Sequence, residues 1–398
     1  MAGFTKHISE NYKRDTANQM TKILRSIQEV LPQYYTEDDI VSLIIRFYPH
    51  EWQGIKYKKE YYDIKDKCLV RLGKKARHKM LSARQMLSKN KLYVKINSVE
   101  YKKQHAINFN VEEYKERLEK LKSKRVPKIL RIDSKIAKAK EKTQSVIPSF
   151  LDELIGLYIR KNTSQKDKVY ILTELMKYYN NEVIRFFFKL NDIELNIQLR
   201  EMAFKHLQSF NYSPRLRRRK YMRVNTKNKK RKDYLQKVYP FEKYVIPQNP
   251  DELEYRINNG KEQKIKTYDF FISHSSSDSN LVQKLITFQN SKGKNIFCDW
   301  INDADYLKRN LLCEATLKVI EKRLEQSNAL LFVKTSNSLD SVWCKYELNY
   351  FYELNKPIYV IDGENIQKGI YNINKYPVSE YLNKEYKNLA LLKSLKFE

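Results

Sequence analysis

Glycine is scarce in this sequence: eight residues in 398, scattered singly. That scarcity excludes a phosphate-cradling Gly-x-x-x-x-Gly-Lys-Ser/Thr loop, in which glycines let backbone amides close on phosphate oxygens. No Gly-x-Ser-x-Gly elbow occurs either, so Ser273 and Ser275–Ser277 are not read as acyl nucleophiles. Cysteine is as sparse, at four residues (Cys68, Cys298, Cys313 and Cys344) with no Cys-x-x-Cys pair. Neither a disulfide framework nor a zinc site is expected, and a reducing, cytoplasmic location fits best. The six histidines show no metal-ligand spacing, so no metal and no cofactor is implied. No apolar run approaches the roughly 20 residues of a membrane helix. The opening Met1-Ala-Gly-Phe-Thr-Lys6 lacks the apolar core of a secretory signal, and no membrane partner is expected.

Acidic residues are in short supply in one part of the chain only. From Lys266 onward 18 Lys and Arg face 16 Asp and Glu, whereas positions 1–265 carry 59 against 31. Nearly all of the +30 net charge therefore lies upstream of Lys266. Such an asymmetry suits attraction to nucleic acid or an acidic surface. It also suits a composition in which Lys, Asn, Tyr and Ile are inflated together, as the 30 tyrosines suggest. The excess peaks in Arg215–Lys232, where 11 of 18 residues are basic and none acidic. Arg215, Arg217, Arg218, Arg219 and Lys220 head a candidate phosphate-binding strip. A solvated, self-repelling linker is the bland alternative.

Read in order, the chain begins mainly helical. Met20, Ile23, Leu24, Ile27 and Leu31 recur at helical spacing, and Thr36 is placed to cap a second helix carrying Ile40, Leu43, Ile44 and Phe47. Lys59 to Lys89 reads as mostly helical; Leu92–Ile96 alternates and reads as a short strand or a loop. The heptad-like run from Val111 is interrupted by Pro127, which predicts two packed antiparallel helices or, less simply, a dimerising coil. Residues 148–209 read as four short amphipathic helices, with Phe186, Phe187 and Phe188 in their core. The expected organisation is a basic helical region over 1–145, a helical block over 146–210, a basic strip and linker over 211–264, and an α/β domain over 265–398.

The last of these carries the chemistry. Thr267–His274 is a buried-strand run followed by serines. Leu281–Asn290, Asn295–Trp300, Leu311–Glu325, Ala329–Val333, Val342–Leu348 and Pro357–Asp362 then alternate helix and strand. Short apolar runs spaced by helical patterns predict a parallel sheet flanked by helices, in the flavodoxin-like manner, with ligands at the carboxyl ends of the strands. Glu347 follows Trp343 by four residues, so carboxylate and indole share one helix face. A carboxylate there could stabilise an oxocarbenium-like transition state; a surface glutamate beside a packed tryptophan is equally compatible with the spacing.

Tyr268-Asp-Phe-Phe-Ile-Ser-His274, Phe297-Cys-Asp-Trp300 and Ser341-Val-Trp-Cys-Lys-Tyr-Glu-Leu348, in this order, resemble a Toll/interleukin-1 receptor (TIR) domain of the bacterial, NAD-cleaving type. The resemblance covers about a third of the chain. It implies that Glu347 matches the catalytic glutamate that cleaves the nicotinamide–ribose bond of NAD+, here substrate rather than cofactor. Trp343 matches an aromatic stacking near the nicotinamide riboside. Phe271, Ile272, Ser273 and His274 match the strand end lining the pocket. Asp299, Trp300 and the loop Ile301–Asn310 match a segment that gates substrate and mediates assembly. That loop lacks the glycine and proline of the receptor type, so Leu307 and Lys308 receive no firm role. The function implied is NAD+ hydrolysis or cyclisation in antiphage defence or signalling, with self-association through TIR domains and a helical region that senses a trigger. A non-catalytic TIR adaptor gripping nucleic acid, and a nucleotide glycosyl-transferring enzyme of related fold, are the alternatives.

Overall fold

The computed structural model describes residues 4–214, 224, 226–307 and 313–376. The strip residues Arg215, Arg217, Arg218, Arg219 and Lys220, and Lys308 of the loop, lie outside the described residues. Contacts divide the chain into two compact units: residues 1–137 with 208–213, and residues 138–207 with 214–398. Among the described residues no helix is long and apolar enough to cross a membrane.

The first unit is helical. Its core gathers Ile23, Leu24 and Ile27 of Phe4–Gln28 with Ile40, Ile44 and Phe47 of Glu37–Phe47. Thr36 caps the latter helix as expected: its hydroxyl accepts from the Asp39 amide while Asp39 reaches back to the Thr36 amide. Two local expectations fail. Leu92–Ile96 is neither strand nor loop but lies in the helix Lys91–Asn97, because the Asn90 side chain accepts from the amides of Leu92 and Tyr93. That start puts Tyr93 and Ile96, three residues apart, into the core.

Pro127 likewise breaks nothing. Val111–Glu141 is one helix of 31 residues. Proline inside a helix removes a backbone donor and crowds the preceding turn, a cost of ~3 kcal/mol. Here the affected turn faces solvent, where water satisfies the freed carbonyl. Two residues earlier Arg125 is tied down, donating to the Phe47 carbonyl (2.8 Å) and to Glu51 (2.7 Å) and lying over the Tyr48 ring.

The second unit is built on a five-stranded sheet: β1 (Tyr268–Ser273), β2 (Ile296–Phe297), β3 (Ser327–Lys334), β4 (Ile358–Asp362) and β5 (Asn374–Lys375), in the order β2-β1-β3-β4-β5. The first four are parallel, and β5, which the sequence did not reveal, is antiparallel to β4. The two-residue side-chain period sorts the strands cleanly. Leu330 and Phe332, with Phe297 and Ile358, face the helices Glu314–Glu325 and Val342–Glu353. Leu331 and Val333, with Ile296 and Ile361, face Ser279–Ser291 and Gly363–Gln367.

Residues 138–207 belong to this unit through two polar arrangements. Gln144 spends its side-chain amide on the outer edge of β2. Its oxygen accepts from the Ile296 amide (3.0 Å) and its nitrogen donates to the Ile296 carbonyl (2.5 Å). Behind the sheet lies a cluster of fully or nearly fully buried charges. Glu174, from Gln165–Leu175, accepts from Lys266 (2.8 Å), Lys177 (2.9 Å) and Gln263 (2.9 Å). Arg323 makes a two-pronged contact with Asp303 (2.8 and 3.1 Å) and donates to Gln263 (2.9 Å). The cationic neighbours hold both carboxyls below the usual carboxylate range, and burial pulls both lysines down.

Breaking a buried pair from one side strands the other charge. Arg323→Met is therefore expected to cost ~3–5 kcal/mol in denaturant unfolding. The double variant Arg323→Met/Asp303→Leu should recover a substantial part of that loss. A single-variant cost near that of a surface change would show that the cluster is not a buried charge network.

Candidate active site

A cavity of about 270 Å³ opens at the carboxyl end of the sheet. This is where β1 lies between β2 and β3 and the strand order reverses, the usual place for a ligand in such sheets. Phe271, Ile272 and His274 line it from β1 and the residue just after it. Asp299 and Trp300 line it from a helical turn, Asp299–Asn302, rather than from the extended segment expected. Trp343 and Glu347 come from Val342–Glu353. That helix starts at Ser341 because the Ser341 hydroxyl caps the Cys344 amide. Leu307 also reaches the wall.

Ser273 is fully buried and connects the two sides, its hydroxyl donating to Glu347 Oε2 at 2.6 Å. Seven of the eight residues singled out from the sequence for substrate thus line one cavity, and Ser273, expected in the lining, lies buried behind it and reaches the site through Glu347. Phe271 is fixed by stacking on Phe297, ring centres 5.0 Å apart. His274 is fixed by its Nδ1, 3.1 Å from the Ile272 carbonyl. Its Nε2 lies 4.0 Å from Asp299 Oδ1.

Sequence reasoning missed Thr316 and Ile320, which wall the cavity from Glu314–Glu325. Their four-residue spacing marks a shared helix face, but nothing in it distinguishes a cavity wall from core. The lining contains Asp299 and Glu347 and, among the described residues, no lysine or arginine.

Glu347 is the unusual group. It meets solvent only in part, and burial pushes its carboxyl up to about 8, against the Ser273 hydrogen bond and with a smaller push from Asp299. A carboxyl this far from its ordinary value, in a cleft, is what an active site needs and a surface glutamate lacks.

Comparison with known proteins fits this geometry. Residues 271–368 match the family model "Thoeris protein ThsB, TIR-like domain". Over 359 residues, 90% of this chain and 92% of the relative, the chain is 37% identical to "Putative cyclic ADP-D-ribose synthase TIR2" of Cytobacillus dafuensis. The chain belongs to the Thoeris TIR family. Within it the chain is 28% identical over 148 residues to "Probable 3' cyclic ADP-D-ribose synthase ThsB'" of Bacillus cereus, covering 37% of this chain and 72% of that one. A more distant likeness, 31% over 83 residues, joins it to Toll-like receptor 2 type-2 of Gallus gallus, covering 21% of this chain and 10% of the receptor. No solved structure matches. The match to TIR2 spans nearly the whole chain, so the helical residues upstream of the TIR-like module are shared with that relative.

The raised carboxyl has a consequence for stability. The folded state keeps the Glu347 proton from the ordinary carboxyl range, 4.5, up to about 8, whereas the unfolded chain loses it. Its contribution therefore favours folding least at alkaline pH, and stability should fall as pH rises through that window. Glu347→Gln, neutral at every pH, should be more stable than wild type at pH 8.5 by ~2–3 kcal/mol, allowing for partial solvent contact, and nearly equal at pH 4.5. Urea unfolding at the two pH values measures the difference.

Proposed function

We propose that this protein consumes NAD+, breaking the nicotinamide–ribose bond and joining the freed anomeric carbon to another atom of the same molecule to give a cyclic ADP-ribose. Support comes from one observation above all: a relative named as a cyclic ADP-D-ribose synthase aligns across nearly the whole chain. The cavity described above contains a carboxyl, Glu347, suited to the chemistry. Antiphage defence is the setting that membership of the Thoeris family supplies.

Nicotinamide is a good leaving group because it departs neutral, taking the bond's electron pair. What remains is an oxocarbenium-like ribose that needs a fixed negative charge nearby. Glu347 supplies that charge once ionised, held in place by Ser273. Bound NAD+ brings a positive pyridinium to the carboxyl and favours its ionised form. Trp343, one turn earlier on the helix, offers a π-face to the nicotinamide riboside. His274 and Asp299 line the same cavity, where the acceptor would lose its proton. If water reaches the anomeric carbon first, the product is ADP-ribose. An aromatic wall of Phe271, Trp300 and Trp343 offers water few hydrogen bonds on that side and favours the internal acceptor.

Activation is placed upstream. The TIR-like modules self-associate, and the basic region over 1–265 recognises the trigger, with a polyanion such as nucleic acid as the partner its charge favours.

The test is NAD+ turnover by the full-length protein, with and without added nucleic acid, products resolved by mass. Wild type should release nicotinamide and a cyclic product. Glu347→Gln should lower kcat by about 10²–10³-fold. With the carboxyl near 8 in the free protein, kcat/KM should rise as pH increases from 6.5 to 8.5. Turnover unaffected by Glu347→Gln would sink this assignment.

A further inference from the structure

We propose that the wall of the same cavity binds a thiophilic divalent cation such as zinc through His274 Nε2 and an Asp299 carboxylate oxygen, which line it, and Cys298 Sγ, buried just behind, and that the bound ion excludes NAD+. The three donor atoms all lie within 4.8 Å of one another. His274 Nε2 is 4.0 Å and Cys298 Sγ 3.9 Å from Asp299 Oδ1. Tetrahedral zinc, with bonds of about 2.0–2.3 Å, sets its ligands about 3.3–3.8 Å apart. The two pairs that include Asp299 need less than an ångström of closure, which Asp299, exposed on its short helical turn, can supply, and the His274–Cys298 pair, within 4.8 Å, needs at most ~1.3 Å.

The donor set is also prepared in the way metal sites are. A histidine ligand is commonly oriented by donating its other ring nitrogen to a carbonyl. His274 has that partner in Ile272. Cys298 is fully buried at the edge of the apolar cluster that holds Ile272, Ile296 and Ile301, with its Sγ within reach of the other two donors. The surroundings favour a cation as well: Glu347 and Asp299 share the cavity, and no lysine or arginine among its described lining residues offsets them. Burial and the Asp299 carboxylate keep the thiol protonated in the empty site. Binding therefore releases the Cys298 proton to solvent as the sulfur–metal bond forms. The fourth zinc position faces the cavity, where a water would stand in the volume the nicotinamide riboside needs.

The three residues come from the end of β1 and the turn after β2, 24 and 25 positions apart, which is why spacing along the chain does not reveal them. Only the effect on turnover rests on the NAD+ reading; binding of the ion does not.

The experiment titrates zinc into the full-length protein, reading binding by competition with a chromogenic chelator and, in parallel, NAD+ loss. One zinc should bind per chain and lower turnover at least about tenfold, with recovery on adding EDTA. Cys298→Ala and the isosteric Cys298→Ser should keep zinc-free turnover while weakening binding by about 10–100-fold or more. Cys344→Ala, at another buried thiol, should bind as wild type does. A wild type that takes up no zinc, or Cys298 variants that bind it undiminished, would overturn the site. Zinc bound with turnover intact would overturn the exclusion of NAD+. If no variant turns over NAD+ at all, the binding arm alone decides the site, and the failure belongs to the proposed function.

Discussion

The salt bridge between Arg323 and Asp303 is the contact on which the second unit turns. Both residues are fully buried, which is tolerable only because each is paired and hydrogen-bonded on several sides. Arg323 ends the helix before β3, and Asp303 follows the turn that carries Asp299 and Trp300 to the cavity. Through Gln263, Lys266 and Lys177 the network reaches Glu174, in the helical segment upstream. The cavity wall is therefore braced by residues far outside the TIR-like module. Residues 138–207 are a structural part of the site's support.

The chemistry of the site follows from the same economy. One helix presents Trp343 and Glu347, one strand end presents Ser273 and His274, and the sheet order brings the two together where it reverses. Glu347 is costly to ionise in the resting protein. That makes its charge conditional on a cationic partner arriving, which the pyridinium of NAD+ provides.

Much of this was legible in the sequence, for physical reasons that can be named. Strands β1, β3 and β4 are buried on both faces, so they appear as continuous apolar runs. Most of the residues expected to line the pocket converge because β1 and the helix from Val342 had clear starts and periods; Asp299 and Trp300 converge although their segment turns helical. What escaped was what depends on distant partners. Pro127 reads as a break until Arg125 is seen fastened to Phe47 and Glu51. Leu92–Ile96 alternates like a strand, and only the Asn90 cap makes it a helix. Thr316 and Ile320 look like any amphipathic pair. Glu174, Lys177, Lys266, Asp303 and Arg323 look like ordinary surface charges, because nothing local marks them as buried.

Gln144 has a wider consequence. An outer strand with free amide and carbonyl groups invites another chain to add a strand to the sheet. Strand β2 is two residues long, and both outward-facing groups of Ile296 are already occupied by one glutamine side chain of the same molecule. The molecule thus supplies its own one-residue imitation of a neighbouring strand. Copies brought close together are denied edge-to-edge sheet extension on that side. Their association is steered towards side-chain surfaces, which can be specific and reversible, and away from open-ended β-pairing.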